Sequence, residues 1–240
     1  MAGWRAALVA LIPMAALAAA KPPAAPPSQP LYASLAGEVA LDNDAVHLQR
    51  YVLAPGQATG RFQPAGDALL VCVHGGVLTA HDTGRSTVWR DGRVAWHGAH
   101  DPGDGGFFNS GKDPVEFIWL SLKRPPRAAS RHEPSEAYHL NYPDIPGEDV
   151  YENDRLVVQR FVVAPGQWEG PHAHRPGMVY IHVKGGQWAA RSKTEAEHQY
   201  PDYSPDGEVG WMEPIDASVG HESGNVGKEP IDLIWVTLKD

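Results

Sequence analysis

The sequence predicts an all-β chain built as two tandem copies of one barrel, and three observations predict it. The chain repeats itself: Leu41 to Gln57 matches Tyr151 to Gln167 at 9 of 17 positions, and Asn109 to Lys123 matches Asn225 to Lys239 at 8 of 15. Each copy is a series of short runs rich in β-branched and aromatic residues, such as Arg155 to Val163, Met178 to Val183 and Ile231 to Leu238. Neither copy holds a long segment of helical period, so its elements are strands parted by turn residues, as in a sandwich or barrel.

In chain order, Arg5, the apolar run Ala6 to Leu17 and Ala18-Ala19-Ala20 read as a secretory signal peptide over residues 1–20. The run is shorter than the roughly 20 residues that span a bilayer and contains Pro13, so no membrane span is expected after cleavage. A periplasmic or secreted protein is the expectation. Residues 21–35 open with KPPAAPPSQP, an extended Pro-rich tether. The copies follow at 36–125 and 150–240. Between them residues 126–149 form a linker rich in Pro, Ser, His and acidic residues, long enough to wrap across one copy. The offset between copies grows from 110 to 116, so the second holds six extra residues, expected in the loop carrying Tyr200 to Asp206.

Composition excludes several classes of partner. The formal net charge is −9, and losing Arg5 makes it one unit more negative, which argues against nucleic acid or anionic lipid. Cys72 is the only cysteine, so no internal disulfide can form and stability must come from burial. It sits in the apolar run Leu69 to Val73 and reads as a core thiol.

The chemistry concentrates between Pro165 and Gly186. His172 and His174 stand two apart, so in a strand both imidazoles project from one face and could share an ion. Gly166 precedes His172 by six, Met178 follows His174 by four, and Gly185 closes the stretch; Gly210, His221 and Asn225 come later. This spacing resembles the two motifs of the cupin family, in which a glycine, HxH, a glutamate and a glycine are followed by a glycine, a third histidine and an asparagine. Here Met178 holds the glutamate position, while Asp216 and Ser218 replace the second motif's usual Pro and Gly. The resemblance covers the last ninety or so residues. It implies a double-stranded β-helix, or jelly roll, for each copy, and hence a bicupin.

The resemblance further implies that His172, His174 and His221 bind a divalent transition metal. Fe(II) is favoured, with Zn, Mn, Ni and Cu open. A small organic molecule would be the substrate or ligand, and dioxygenase-type oxidation the leading chemistry; the alternative is a non-catalytic cupin that only binds metal or ligand. Homodimers are a family expectation. Opposite the histidines the first copy has Phe62, Pro64 and Gly105, none of which ligates through its side chain, so that copy is expected to be metal-free.

If Met178 faces inward, strand alternation turns Tyr180 and His182 inward too, as catalytic candidates. His182 suits an acid/base, a fourth ligand or a hydrogen-bonded core histidine; Tyr180 suits an oxyanion donor or a filler. Glu169 is either an outer acceptor for a ligand imidazole or an exposed loop carboxylate. Trp168, Trp188 and Trp211 lack aromatic counterparts in the first copy and are either pocket walls or packing, whereas Trp119 and Trp235 read as core. Gly106 to Lys112 has phosphate-loop spacing but precedes a strand, and Lys184-Gly185-Gly186 reads as a hairpin turn repeated from His74-Gly75-Gly76.

Overall fold

The computed structural model describes residues 32–62, 66–99, 101, 105–125, 134–194, 198–199 and 203–239. The expected signal peptide, nearly all of the tether, Pro64, the first part of the linker, and Tyr200 to Asp202 lie outside the described residues. Among the described residues, no helix is long and apolar enough to cross a membrane.

Among the described residues, two groups of eight strands follow one another. The first comprises β1 (Glu38–Asp42), β2 (Val46–Leu53), β3 (Ala68–His74), β4 (Gly76–Ala80), β5 (Ser86–Trp89), β6 (Val94–His97), β7 (Phe107–Asn109) and β8 (Val115–Leu122). The second comprises β9 (Glu148–Glu152), β10 (Leu156–Val163), β11 (Met178–Lys184), β12 (Trp188–Arg191), β13 (His198–Gln199), β14 (Val209–Met212), β15 (Glu222–Asn225) and β16 (Ile231–Leu238). In the first group the sheet orders are β1-β2-β8-β3-β6 and β5-β4-β7; in the second they are β9-β10-β16-β11-β14 and β13-β12-β15. Position for position, the orders correspond. All the strand pairs are antiparallel, which suits jelly-roll sheets with one face buried in each barrel.

Period-two alternation decides how the large sheets pack. Val179, Ile181 and Val183 of β11 share one buried cluster with Leu69, Val71 and Val73 of β3, so the two five-stranded sheets meet face to face. Each of these aliphatic side chains contributes about 1.5–3 kcal/mol by leaving water. Arg155 of the second group pairs with Asp67 of the first. Around the seam the contacts repeat with the groups exchanged: Arg160, paired with Asp232, lies against Gly92, and Arg50, paired with Glu116, lies near Gly207.

The other faces of these sheets fill the barrels. In the first, Tyr32, Phe62, Phe107 and Trp119 pack ring on ring with centroids 4.9–6.1 Å apart, so the space opposite the expected metal site is filled with aromatic carbon. The linker passes into the second. After a 3-10 turn at Ser135–Tyr138, Leu140, Tyr142 and Ile145 are buried in its core, and the Leu140 amide donates to Gln159 Oε1 at 2.6 Å.

One expectation is corrected. Gly75-Gly76 and Gly185-Gly186 are not hairpin turns, because β3 and β4 lie in different sheets, as do β11 and β12. They are crossings between sheets, and the glycine serves close approach: a Cβ on Gly185 would stand 1.8 Å from the Ser204 carbonyl oxygen.

Candidate metal centre

His172 and His174 lie on the approach to β11, each bonded to the chain opposite. The His172 amide donates to the His221 carbonyl at 2.9 Å, and His174 exchanges two backbone hydrogen bonds with Ile215. These bridges bring His221 level with the pair. Gly170, at φ +78°, turns its carbonyl to accept from His172 Nδ1 at 2.8 Å, a backbone conformation that favours glycine. With Nδ1 protonated, His172 Nε2 carries a lone pair. His174 Nε2 faces it at 2.9 Å.

One ligand nitrogen from each of His172, His174 and His221 lies within 4.8 Å of the others. Two nitrogens about 2.1 Å from a common ion, set at right angles, stand about 3 Å apart, so the His172–His174 separation suits shared coordination. Two facing lone pairs repel unless a proton or a cation lies between them. His174 Nδ1 is buried without a hydrogen-bond partner, so no second-nitrogen contact holds that ring's tautomer. Burial lowers all three imidazoles, His172 to about 4, His174 to about 3 and His221 in the same direction, so each is neutral and able to ligate near pH 7. The donor set fits a borderline or transition-metal ion.

A cavity of about 390 Å³ opens from His174 into the barrel, a volume suited to one small organic molecule. Its wall is a succession of rings: His174 to Trp235 at 5.1 Å, Trp235 to Tyr180 at 5.7 Å, Tyr180 to His182 at 5.5 Å and His182 to Trp188 at 5.8 Å. Tyr180 and His182 therefore line the cavity. His182 Nδ1 lies 3.4 Å from Glu208 Oε2, and this contact holds the Glu208 carboxyl below its ordinary value. Gly210 leaves room for Tyr180, since a Cβ there would stand 2.3 Å from the phenol carbon and oxygen. Met178 is buried among Leu140, Phe161 and Ile231.

Glu169 is only 2% exposed, which removes the loop-carboxylate alternative. Its Oε2 lies 3.9 Å from His172 Nε2, and burial pushes its carboxyl up to about 8. Of the three tryptophans, Trp188 lines the cavity. Trp168 instead packs on Gly224 with the Arg191 guanidinium 4.0 Å from its ring centre, and Trp211 packs at the seam between the large sheets. Sequence reasoning missed Tyr142, whose ring lies 4.6 Å from that of His172, and the wall residues Tyr203, Ser204 and Glu208. Ser204 and Glu208 hold the places of Trp89 and Arg93 of the first copy, so no difference in length marked them.

No family model matches the chain, and neither does any curated protein. Solved structures do. A cupin 2 conserved barrel domain protein from Leptotrichia buccalis superposes with a TM-score of 0.50 at 11% identity, over 87% of this chain and 90% of that one. The fold is that of the cupin jelly-roll barrels. AerE from Microcystis aeruginosa gives 0.54 at 15% identity, covering 88% and 95%. Salicylate 1,2-dioxygenase from Pseudaminobacter salicylatoxidans gives 0.52 at 11% identity, covering 88% and 78%. At such identities the likeness concerns the fold.

Proposed function

We propose that the protein is an exported bicupin that binds one divalent metal ion on His172, His174 and His221 and acts on a small organic molecule in the adjoining cavity, with dioxygenase-type oxidation as its chemistry. The observation that carries this reading is the 2.9 Å approach of two neutral imidazole nitrogens, one of them oriented by the Gly170 carbonyl, at the inner end of a ring-lined cavity. Export rests on the apolar leader of residues 1–20, and the bicupin reading on the repeated sequence and the matching strand orders.

When bound, the metal supplies a Lewis-acidic centre, and Fe(II) one that is redox-active, with open positions for substrate and dioxygen. The chain's own groups do the rest. The rings of Trp235, Tyr180 and Trp188 hold a planar molecule and exclude water from it. His182, backed by Glu208, suits an acid/base role, and the Tyr180 hydroxyl suits donation to a developing oxyanion. The buried Met178 in the glutamate position favours a second reading, a cupin that binds metal or ligand without turnover.

Elemental mass spectrometry on untagged protein purified without chelator, beside the His172→Ala/His174→Ala variant, tests the centre. Near-stoichiometric metal that the variant loses supports it, and metal-free, well-folded protein overturns it. Oxygen uptake by the Fe(II)-loaded protein across a panel of small aromatic substrates then divides enzyme from binder.

A further inference from the structure

The three histidines bring no charge to an ion, and the position from which the spacing pattern would supply a carboxylate holds Met178. A carboxylate nevertheless stands at the centre. Glu169 precedes His172 by three residues, in the segment between β10 and β11 that carries the HxH pair. Its Oε2 lies 3.9 Å from His172 Nε2, and the residue is among the most buried polar groups of the barrel. The Ser223 amide donates to that oxygen at 3.3 Å, and the Tyr142 hydroxyl is a further hydrogen-bond partner. None of these described partners carries a permanent positive charge. A carboxylate so enclosed is costly to keep ionised without a cation.

We propose that Glu169 is the carboxylate ligand of this centre, taking over from chain position 178 the charge that the three histidines lack. The proposal rests on the three-histidine reading above. Two donors that share one ion, each about 2.1 Å from it, are at most about 4.2 Å apart, and the Glu169–His172 separation falls inside that limit. The three ligand nitrogens lie within 4.8 Å of one another without Glu169 in their group, so its carboxylate reaches the common ion only by turning further toward His174 and His221. Ser223 and Tyr142 hold the carboxylate as outer hydrogen-bond partners hold a metal ligand. Glu169 also lines the same cavity as His174, so it faces the region in which the ion and its substrate would meet.

The test is titration of metal-stripped protein with Co²⁺, read both by competition with a chromophoric chelator and by the visible cobalt bands, which report coordination independently of turnover. Glu169→Gln keeps the shape and the Ser223 contact but removes the charge. It is expected to bind Co²⁺ more than about 100-fold more weakly, with shifted bands, because about 10- to 100-fold is what losing an outer hydrogen-bond partner costs; a loss of that smaller size with unshifted bands overturns the proposal, and Met178→Ala binds as wild type. Wild-type affinity and bands in Glu169→Gln overturn the proposal. His172→Ala separates the two readings: if it too binds as wild type, the three-histidine centre fails; if it loses Co²⁺ while Glu169→Gln does not, only the role of Glu169 fails. Should Glu169→Gln fold poorly, Glu169→Asp carries the test, with retracted carboxylate and displaced bands expected, and unchanged bands again overturning the proposal.

Discussion

Asn109 and Asn225 make the same three hydrogen bonds, each within its own barrel. Asn109 Nδ2 donates to the carbonyls of Leu53 and Asp113 while its Oδ1 accepts from the Gly111 amide; Asn225 does the same with Val163, Glu229 and Gly227. Both are fully buried. Replacing either by Ala strands a buried carbonyl and is expected to cost about 2–4 kcal/mol. Chemical denaturation should report similar losses for the two single variants, and metal content should be unchanged in Asn109→Ala.

His172 and Phe62 occupy matching places and should respond oppositely to truncation. His172→Ala is expected to abolish metal retention with little loss of stability. Phe62→Ala opens a cavity in a fully packed ring cluster and is expected to cost about 3–5 kcal/mol while leaving metal content intact. Elemental analysis and thermal melts on the same preparations check both.

Cys72 should be chemically silent in the folded chain. It is fully buried in β3, and burial pushes its thiol up to about 12. Ellman's reagent is expected to find no reactive thiol in the native protein and one per chain in guanidinium.

The ends of β16 and β9 are tied by an ion pair that acid should release. Lys239 Nζ contacts Glu152 Oε1 at 2.5 Å and holds that carboxyl below its ordinary 4.5, with Ser135 assisting. A depressed carboxylate stabilises the fold above its unfolded value, and that stability is lost as pH falls through the folded value. Glu152→Gln should therefore melt below wild type at pH 7, with the gap closing as pH falls below the ordinary 4.5 and through the lowered folded value. Parallel melts across that window check the sign.

Much of this was legible because it is periodic or local. The repeat in sequence anticipates the matching strand orders, alternation from Met178 places Tyr180 and His182 on the cavity wall, and the HxH spacing finds the three histidines that the bridges bring together. What escaped is long-range. Tyr142 reaches His172 from a linker without period, and Glu169 looks like a loop carboxylate until the Ser223 segment and Tyr142 close over it. Ser204 and Glu208 hold the places of Trp89 and Arg93 in the first copy, but the residues there are too unlike for comparison of the two sequences to align them.

The seam between the two large sheets has the form of an isologous contact, Arg50 with Glu116 near Gly207 on one side and Arg160 with Asp232 against Gly92 on the other. Covalent linkage changes its thermodynamics. Halves that would otherwise associate by mass action meet at an effective concentration set by the connecting segment, so dilution does not part them. The same linkage frees the two halves to diverge. One can fill its barrel with aromatic rings and serve as a permanent buttress while the other keeps a cavity open, a division of labour that identical subunits of a symmetric dimer cannot adopt.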